Sequence, residues 1–175
     1  GRSADPDGAI ATFDRVLGGM PAAGELFSIL REHKAILTLF AAILGSAPRL
    51  AEIVANRPHL LDAIIDPAFI EPFPTLPVLL TRISDAVGQN ELYEDFLDRL
   101  REAGQHELFL VGARALSGAL SPAMAGESYS LIAEAILHIA LGEVERRFAA
   151  DHGRIAGGRI AVLGMGRLGS REMTA

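Results

Sequence analysis

Prolines and glycines interrupt this chain at intervals that leave apolar segments of helix length between them, and this spacing limits the fold most. Within the segments, apolar residues recur every three or four positions, which is the period of an amphipathic helix. Half of the residues are hydrophobic and only 6% are aromatic, so a core would consist mainly of Leu, Ile, Ala and Val. Ala and Leu favour helices. We therefore predict a mainly α-helical bundle or array.

The interruptions also predict where the helices begin and end. Ser46 is the predicted N-cap of a helix that runs to about Asn56. Ser128 or Ser130 is the predicted N-cap of the last long helix, and Gly153 is its predicted C-cap. Three prolines make residues 69–77 irregular. The predicted helices cover residues 7–17, 22–33, 34–44, 47–56, a short stretch from Pro58, 76–87, 91–116 and the stretch that ends at His152.

The pattern changes once, after residue 156. Gly157, Gly158 and Arg159 lead into the apolar run Ile160–Leu163, which predicts one short buried strand. A Gly-rich segment, residues 164–175, follows this run. A strand without a partner strand is not stable alone. We therefore predict a helical region over residues 1–156 and, over residues 157–175, the beginning of a sheet domain that continues beyond the 175 residues.

Two kinds of nucleotide site share the glycine pattern of this segment. Gly164, Gly166 and Gly169 fit the dinucleotide fingerprint G-x-G-x-x-G, which also requires a helix, a second strand and an acidic residue further on. The alternative is the phosphate-binding Gly-Ser turn of a nucleotidyltransferase, whose backbone N–H groups face a triphosphate. There, a carboxylate pair on the next strand holds the metal ions.

The residues themselves resemble one family. The segment Ile160–Ala175 closely resembles the signature of the glutamine synthetase adenylyltransferases, a hydrophobic strand followed by Gly-Met-Gly-Lys-Leu-Gly-Gly-Arg-Glu and then Ser-Asp-x-Asp. The likeness extends upstream through Leu44–Pro67, Leu97–Leu116 and Tyr129–Gly153. It implies that residues 157–175 begin a polymerase-β-like nucleotidyltransferase domain. The Arg-Glu-Met-Thr-Ala ending is more similar to the C-terminal, adenylylating half of the family than to the half that removes AMP.

The resemblance assigns a nucleotide-binding role to Gly166, Arg167, Gly169 and Ser170. Gly169 and Ser170 match the phosphate-turn pair, with Ser in place of the commoner second Gly. Arg167 replaces the usual Lys, which keeps the charge but not the geometry at a phosphate. The family places its metal-binding aspartates beyond Ala175, so no catalytic or metal-binding residue is assigned. We expect this chain alone to bind no cofactor and to be inactive.

For the complete enzyme, the resemblance implies transfer of AMP from ATP to a tyrosine of glutamine synthetase, with Mg²⁺ or Mn²⁺, in the cytoplasm. It implies glutamine synthetase and the PII nitrogen-signalling protein as partners and glutamine as an effector. An alternative is that the helices form a regulatory or docking module that binds PII or glutamine synthetase. A third hypothesis is a piece of a dinucleotide-binding oxidoreductase.

Composition disfavours other classes of function. The chain has no cysteine and a net charge of −6, which exclude a thiolate zinc site and disfavour nucleic-acid binding. No apolar run approaches the roughly 20 residues that would span a membrane. The five histidines include no His-x₃-His pair that could bind a metal ion from one helix. Glu91, Glu94, Asp95 and Asp98 are predicted to form a solvated acidic helix face.

Overall fold

The computed structural model describes residues 34–57, 62–65, 71–89 and 92–174, with the single positions 10, 11, 13, 14, 18, 30, 31, 60 and 69. These residues are mainly helical and include no strand, which confirms the α-helical prediction. The helices over the continuous stretches are α1 (Lys34–Ser46), α2 (Pro48–Asn56), α3 (Asp62–Ile65), α4 (Leu76–Val87), α5 (Tyr93–Leu116), α6 (Pro122–His152) and α7 (Gly166–Gly169).

Most helix ends agree with the sequence pattern to within two residues. The bounds of α4 are those predicted, α1 extends two residues further than expected, and the first helical residue of α5 is Tyr93. Gly153 follows the end of α6 with φ 79°, and its N–H donates to the carbonyl of Ala149, as expected of a C-cap glycine. Three predictions lie largely outside the described residues. They are the helices over residues 7–17 and 22–33 and the helix start at Pro58.

The described residues pack as two compact units, each built from separated stretches of chain. The first contains residues up to Pro72 together with Phe109–Pro122, and the second contains Phe73–Leu108 and Ala123–Thr174. Helix α5 therefore contributes its first 16 residues to the second unit and the rest to the first. The division into a helical region and a second domain at residue 157 stays a prediction.

The first unit is held together by an apolar cluster. Helices α1, α2 and the C-terminal part of α5 each contribute three buried side chains to it. Phe40 also meets the ring of Phe13 edge-on, with ring centroids 6.1 Å apart. Burial of one such side chain stabilises a fold by roughly 1.5–3 kcal/mol. The cluster comprises Leu30, Leu39, Phe40, Ile43, Leu50, Ala51, Val54, Leu60, Ile64, Phe69, Phe109, Leu110 and Ala113.

Two predicted serine caps are wrong, for different reasons. Ser46 is the last residue of α1, and Ala47 is the N-cap of α2 with no side-chain hydrogen bond. Helix α6 begins at Pro122, so Ser128 and Ser130 lie inside it. Their Oγ atoms donate to the carbonyls of Met124 and Gly126, each at 2.8 Å. A helix can satisfy a serine hydroxyl in this way four residues back, so these serines mark no helix start.

The second unit buries apolar side chains of α4, α6 and the N-terminal part of α5. Residues four apart on α4, namely Leu79, Ile83 and Val87, are buried, as are Phe96 and Leu100 of α5. Helix α6 contributes Ala125, Tyr129, Ile132 and Ala135. An ion pair also joins α4 to α5, because Arg82 Nη2 lies 3.0 Å from the mostly buried Glu107 Oε1.

A charged cluster fixes the C-terminal half of α6. The Glu143 carboxylate accepts hydrogen bonds from Arg146 at 2.7 and 2.8 Å and from Arg147. The Arg147 guanidinium carbon lies 5.2 Å from the centroid of the Tyr93 ring of α5. These bonds lower the pKa of Glu143 from 4.5 to about 2, with the hydrogen bond to Arg146 as the largest cause.

The strand predicted at Ile160–Leu163 is not formed. Residues 158–165 have no regular secondary structure, and Ile160 and Leu163 are 63% and 83% exposed. A strand needs a hydrogen-bonded neighbour and a surface to cover its side chains. No described residue pairs with this run, so its apolar composition alone does not make it a strand.

We expect the substitution Gly112→Ala to destabilise the chain. Inside a helix, this change normally stabilises by about 0.5–1 kcal/mol. A Cβ on Gly112, however, would lie 2.8 Å from Cδ2 of Leu50, and Leu50 is buried. We expect the free energy of unfolding, measured by urea denaturation, to fall by about 1–3 kcal/mol. Gly142→Ala on α6 is the control, since nothing lies within 4 Å of its Cβ position; equal stabilisation by both changes would contradict this account.

The lowered pKa of Glu143 predicts that the chain loses part of its stability in acid. Because its folded pKa of about 2 lies below the ordinary 4.5, its stabilisation is complete above about pH 5 and is lost as the pH falls towards 2. In Glu143→Gln, we expect the free energy of unfolding to be lower by about 1 kcal/mol at pH 7 and to change less between pH 5 and 2. Urea denaturation at several pH values measures both. The control is Glu145→Gln, at an exposed position of α6; the same acid response in both variants would refute the assignment.

Candidate functional site

The predicted nucleotide-binding residues lie together on one helical turn and its end. Gly166, Arg167 and Gly169 belong to α7, and Ser170 is its C-cap. Gly166 has φ 57°, a conformation that glycine adopts without a steric penalty. The chain folds back so closely that a Cβ on Gly169 would lie 2.6 Å from the carbonyl oxygen of Gly164. Gly169 is therefore required by a backbone contact within the segment.

The end of α7 satisfies its own backbone groups. The N–H of Arg171 donates to the carbonyl of Leu168, and the N–H of Glu172 donates to the carbonyl of Arg167. Arg171 has φ 60°. This pair of bonds around a left-handed residue is the Schellman ending of a helix, in which glycine usually occupies the left-handed position. The N–H groups of Gly169 and Ser170 also donate within the segment, to the carbonyls of Met165 and Gly166.

The polar side chains of the segment lie at the surface. The Arg167 guanidinium donates to Thr174 Oγ1 at 3.1 Å, and the Ser170 hydroxyl donates to Glu172 Oε2 at 3.2 Å. Of these groups, an arginine is the best suited to hold a phosphate, because it presents several N–H donors in a planar fork. In this conformation the segment offers an anion the further N–H donors of the Arg167 guanidinium, while the Ser170 hydroxyl and the N–H groups of residues 169–172 are engaged.

The segment also makes a contact that sequence reasoning did not find. Arg171 Nη2 lies 3.6 Å from Oε2 of Glu134 in the middle of α6. The pair joins residues 37 positions apart in the sequence, and no local pattern links them. Only the packing of residues 171–173 beside α6 brings the two charges together.

Three further observations on the described residues concern a metal site, a membrane-spanning helix and the dinucleotide fingerprint. Among the described residues, no group of three or more His, Asp or Glu side chains could hold a metal ion. No described helix is both long and apolar enough to cross a membrane. The dinucleotide fingerprint also lacks its structural context here, because the residues before Gly164 form no strand in the described chain.

Comparisons with known proteins agree with the glycine-rich signature. Residues 37–175 match the family described as glutamate-ammonia ligase adenylyltransferase. Proteins named bifunctional glutamine synthetase adenylyltransferase/adenylyl-removing enzyme are 45% identical over the whole chain in Mesorhizobium japonicum and 43% in Agrobacterium fabrum. A Bradyrhizobium relative of the same name is 45% identical over 98% of the chain.

The match covers only part of these relatives. The chain spans 18% of the length of the Mesorhizobium and Agrobacterium proteins and 17% of the Bradyrhizobium protein. No solved structure matches it significantly. Because the family match covers residues 37–175, well over half of the chain, the chain belongs to the glutamate-ammonia ligase adenylyltransferase family.

Proposed function

We propose that this chain is the helical scaffold and nucleotide-binding segment of an enzyme that transfers AMP from ATP to a tyrosine of glutamine synthetase. The observation that carries the proposal is the family match over residues 37–175, which includes the Gly-rich segment. In the complete protein, another half would remove AMP, and the balance would control nitrogen assimilation. The ending of the segment favours the adenylylating half.

Within this proposal, Arg167, Gly169 and Ser170 hold the phosphates of ATP, and Gly166 gives the turn its shape. The exposed Arg167 guanidinium supports this role, because its N–H groups are suited to donate hydrogen bonds to phosphate oxygens. The Ser170 hydroxyl would exchange its bond to Glu172 for one to phosphate. The backbone N–H groups of Gly169 and Ser170 would have to exchange their internal hydrogen bonds for bonds to phosphate. Such an exchange requires only a local change, since the segment is exposed.

The resemblance further implies Mg²⁺ or Mn²⁺, which neutralises charge on the transferring phosphate when bound. The described residues do not fit such an ion, because they form no group of metal-ligating side chains. The Ser-Asp-x-Asp pattern implied by the family likeness has no match after Glu172 in this sequence. We therefore expect the 175-residue polypeptide by itself not to transfer AMP. The cytoplasmic location, PII and glutamine stay predictions.

Protein docking is a second candidate function, and exposed apolar side chains favour it. Leu137, Val144 and Phe148 are exposed and lie along one face of α6, at spacings of seven and four residues. Apolar surface of this kind is used in binding other proteins. The docking hypothesis names glutamine synthetase or PII as the partner. The oxidoreductase hypothesis loses its support, because the chain belongs to an adenylyltransferase family.

The main proposal is tested by exchanging segments. In the Mesorhizobium relative, the stretch that matches this chain is replaced by these 175 residues, and transfer of label from α-labelled ATP to glutamine synthetase is measured. We expect transfer, and a loss of at least about tenfold with Gly169→Val, because a side chain there collides with the Gly164 carbonyl. Gly142→Ala is the control.

A second exchanged protein, with a shorter replaced segment, serves as a control for misfolding. Here only residues 157–175 replace their counterparts, so the helices of the relative stay intact. If both exchanged proteins fold and neither transfers label, the proposed function is wrong. If Gly169→Val transfers as well as the unchanged version, the assignment of the turn is wrong.

Docking makes a separate prediction for the 175-residue chain. If α6 binds glutamine synthetase or PII, surface plasmon resonance without nucleotide should detect binding, and Phe148→Ser should weaken it by at least about tenfold, as at an interface hot spot. The control is Val78→Ser, an equally exposed apolar position on α4. Absence of binding to both proteins, or equal loss in the two variants, would exclude docking through this face.

A further inference from the structure

The Gly-rich segment returns to α6 where that helix carries a glycine. Gly126 is buried in α6. A Cβ there would lie 3.4 Å from three backbone atoms of the returning chain: Arg171 O, Glu172 Cα and Met173 O. Backbone therefore rests directly on the surface of α6 at this point, and any side chain longer than a methyl group would push it away.

A second glycine of the same helix shows that this approach is local. Nothing lies within 4 Å of a Cβ built on Gly142. A glycine inside a helix costs about 0.5–1 kcal/mol relative to alanine. At Gly126 this cost is offset by a contact with another segment, whereas no such contact is present at Gly142.

The charge pair Arg171–Glu134 adds to the contact between residues 171–173 and α6. Glu134 lies two turns beyond Gly126 on α6, and the pair is 3.6 Å apart with both side chains partly exposed. An exposed pair of this kind contributes about 0–1 kcal/mol. It can orient the segment, but the backbone contact at Gly126 is the firmer constraint.

The seated residues are connected directly to the turn that we propose binds ATP. The Glu172 N–H donates to the carbonyl of Arg167, and the Arg171 N–H donates to that of Leu168. A shift of residues 171–173 would therefore move Arg167 and Ser170 as well. We propose that Gly126 is a positioning residue: it provides a seat on α6 that holds the phosphate-binding turn in place. The inference rests on the proposed function for its consequence, but not for the contact itself.

The contact is tested in the 175-residue chain by amide hydrogen exchange. Gly126→Leu should raise the exchange rate at Arg171 and Glu172 by about tenfold or more, because their hydrogen bonds depend on the seated turn. Gly142→Leu, the matched control on the same helix, should leave these rates unchanged. Thermal unfolding of both variants shows whether the fold persists. Unchanged exchange at Arg171 and Glu172 in Gly126→Leu would overturn the inference.

The consequence is tested in the exchanged Mesorhizobium enzyme. Gly126→Leu should raise the KM for ATP at least about fivefold and leave the KM for glutamine synthetase unchanged, a split that general destabilisation does not produce. Faster exchange with an unchanged KM for ATP would also overturn the positioning role. If the exchanged enzyme with Gly126 intact transfers no AMP, the proposed function fails, while the exchange measurement still decides whether Gly126 seats the turn.

Discussion

Burial of the apolar face of α5 is the constraint on which both units depend. In the second unit this helix buries Phe96 and Leu100, and in the first it buries Phe109, Leu110 and Ala113. In the first cluster α5 contributes as many buried side chains as α1 and α2 do, three each. The length of α5 lets one helix take part in two cores.

Close backbone contacts set the finer geometry. Gly112 of α5 faces the side chain of Leu50, and Gly126 of α6 faces the backbone of residues 171–173. Helices α5 and α7 both have Schellman-like ends, but the residue in the left-handed position differs. Gly118 occupies the left-handed position after α5, with φ 80°, whereas Arg171 occupies it after α7, with φ 60°. A non-glycine residue pays roughly 1–2 kcal/mol for that conformation, so surrounding contacts must hold Arg171 there.

The sequence predicted both bounds of α4 and the end of α6 before Gly153, but it placed the end of α1 two residues early and the start of α6 several residues late. Helix α4 follows Thr75 and ends before Gly88, as its pattern indicates. Helix α6 instead starts six residues before Ser128, because a serine hydroxyl can bond to its own helix as well as cap one. The prediction of a strand at Ile160–Leu163 was wrong for another reason. A strand forms only beside a partner strand, and a local sequence pattern does not show whether a partner is present.

The sequence alone determined the helical class, the family and the position of the Gly-rich segment, because periodicity and a specific motif are local properties of the chain. It also identified Gly166, Arg167, Gly169 and Ser170 as neighbours, since they are nearly consecutive. Only the tertiary structure decided that Gly126 and Glu134 meet residues 171–173, and that the N–H groups of residues 169–172 bond within the segment. The contacts of Gly126 and Glu134 depend on the direction in which the chain returns after α6, and that direction is set by packing between residues far apart in the sequence.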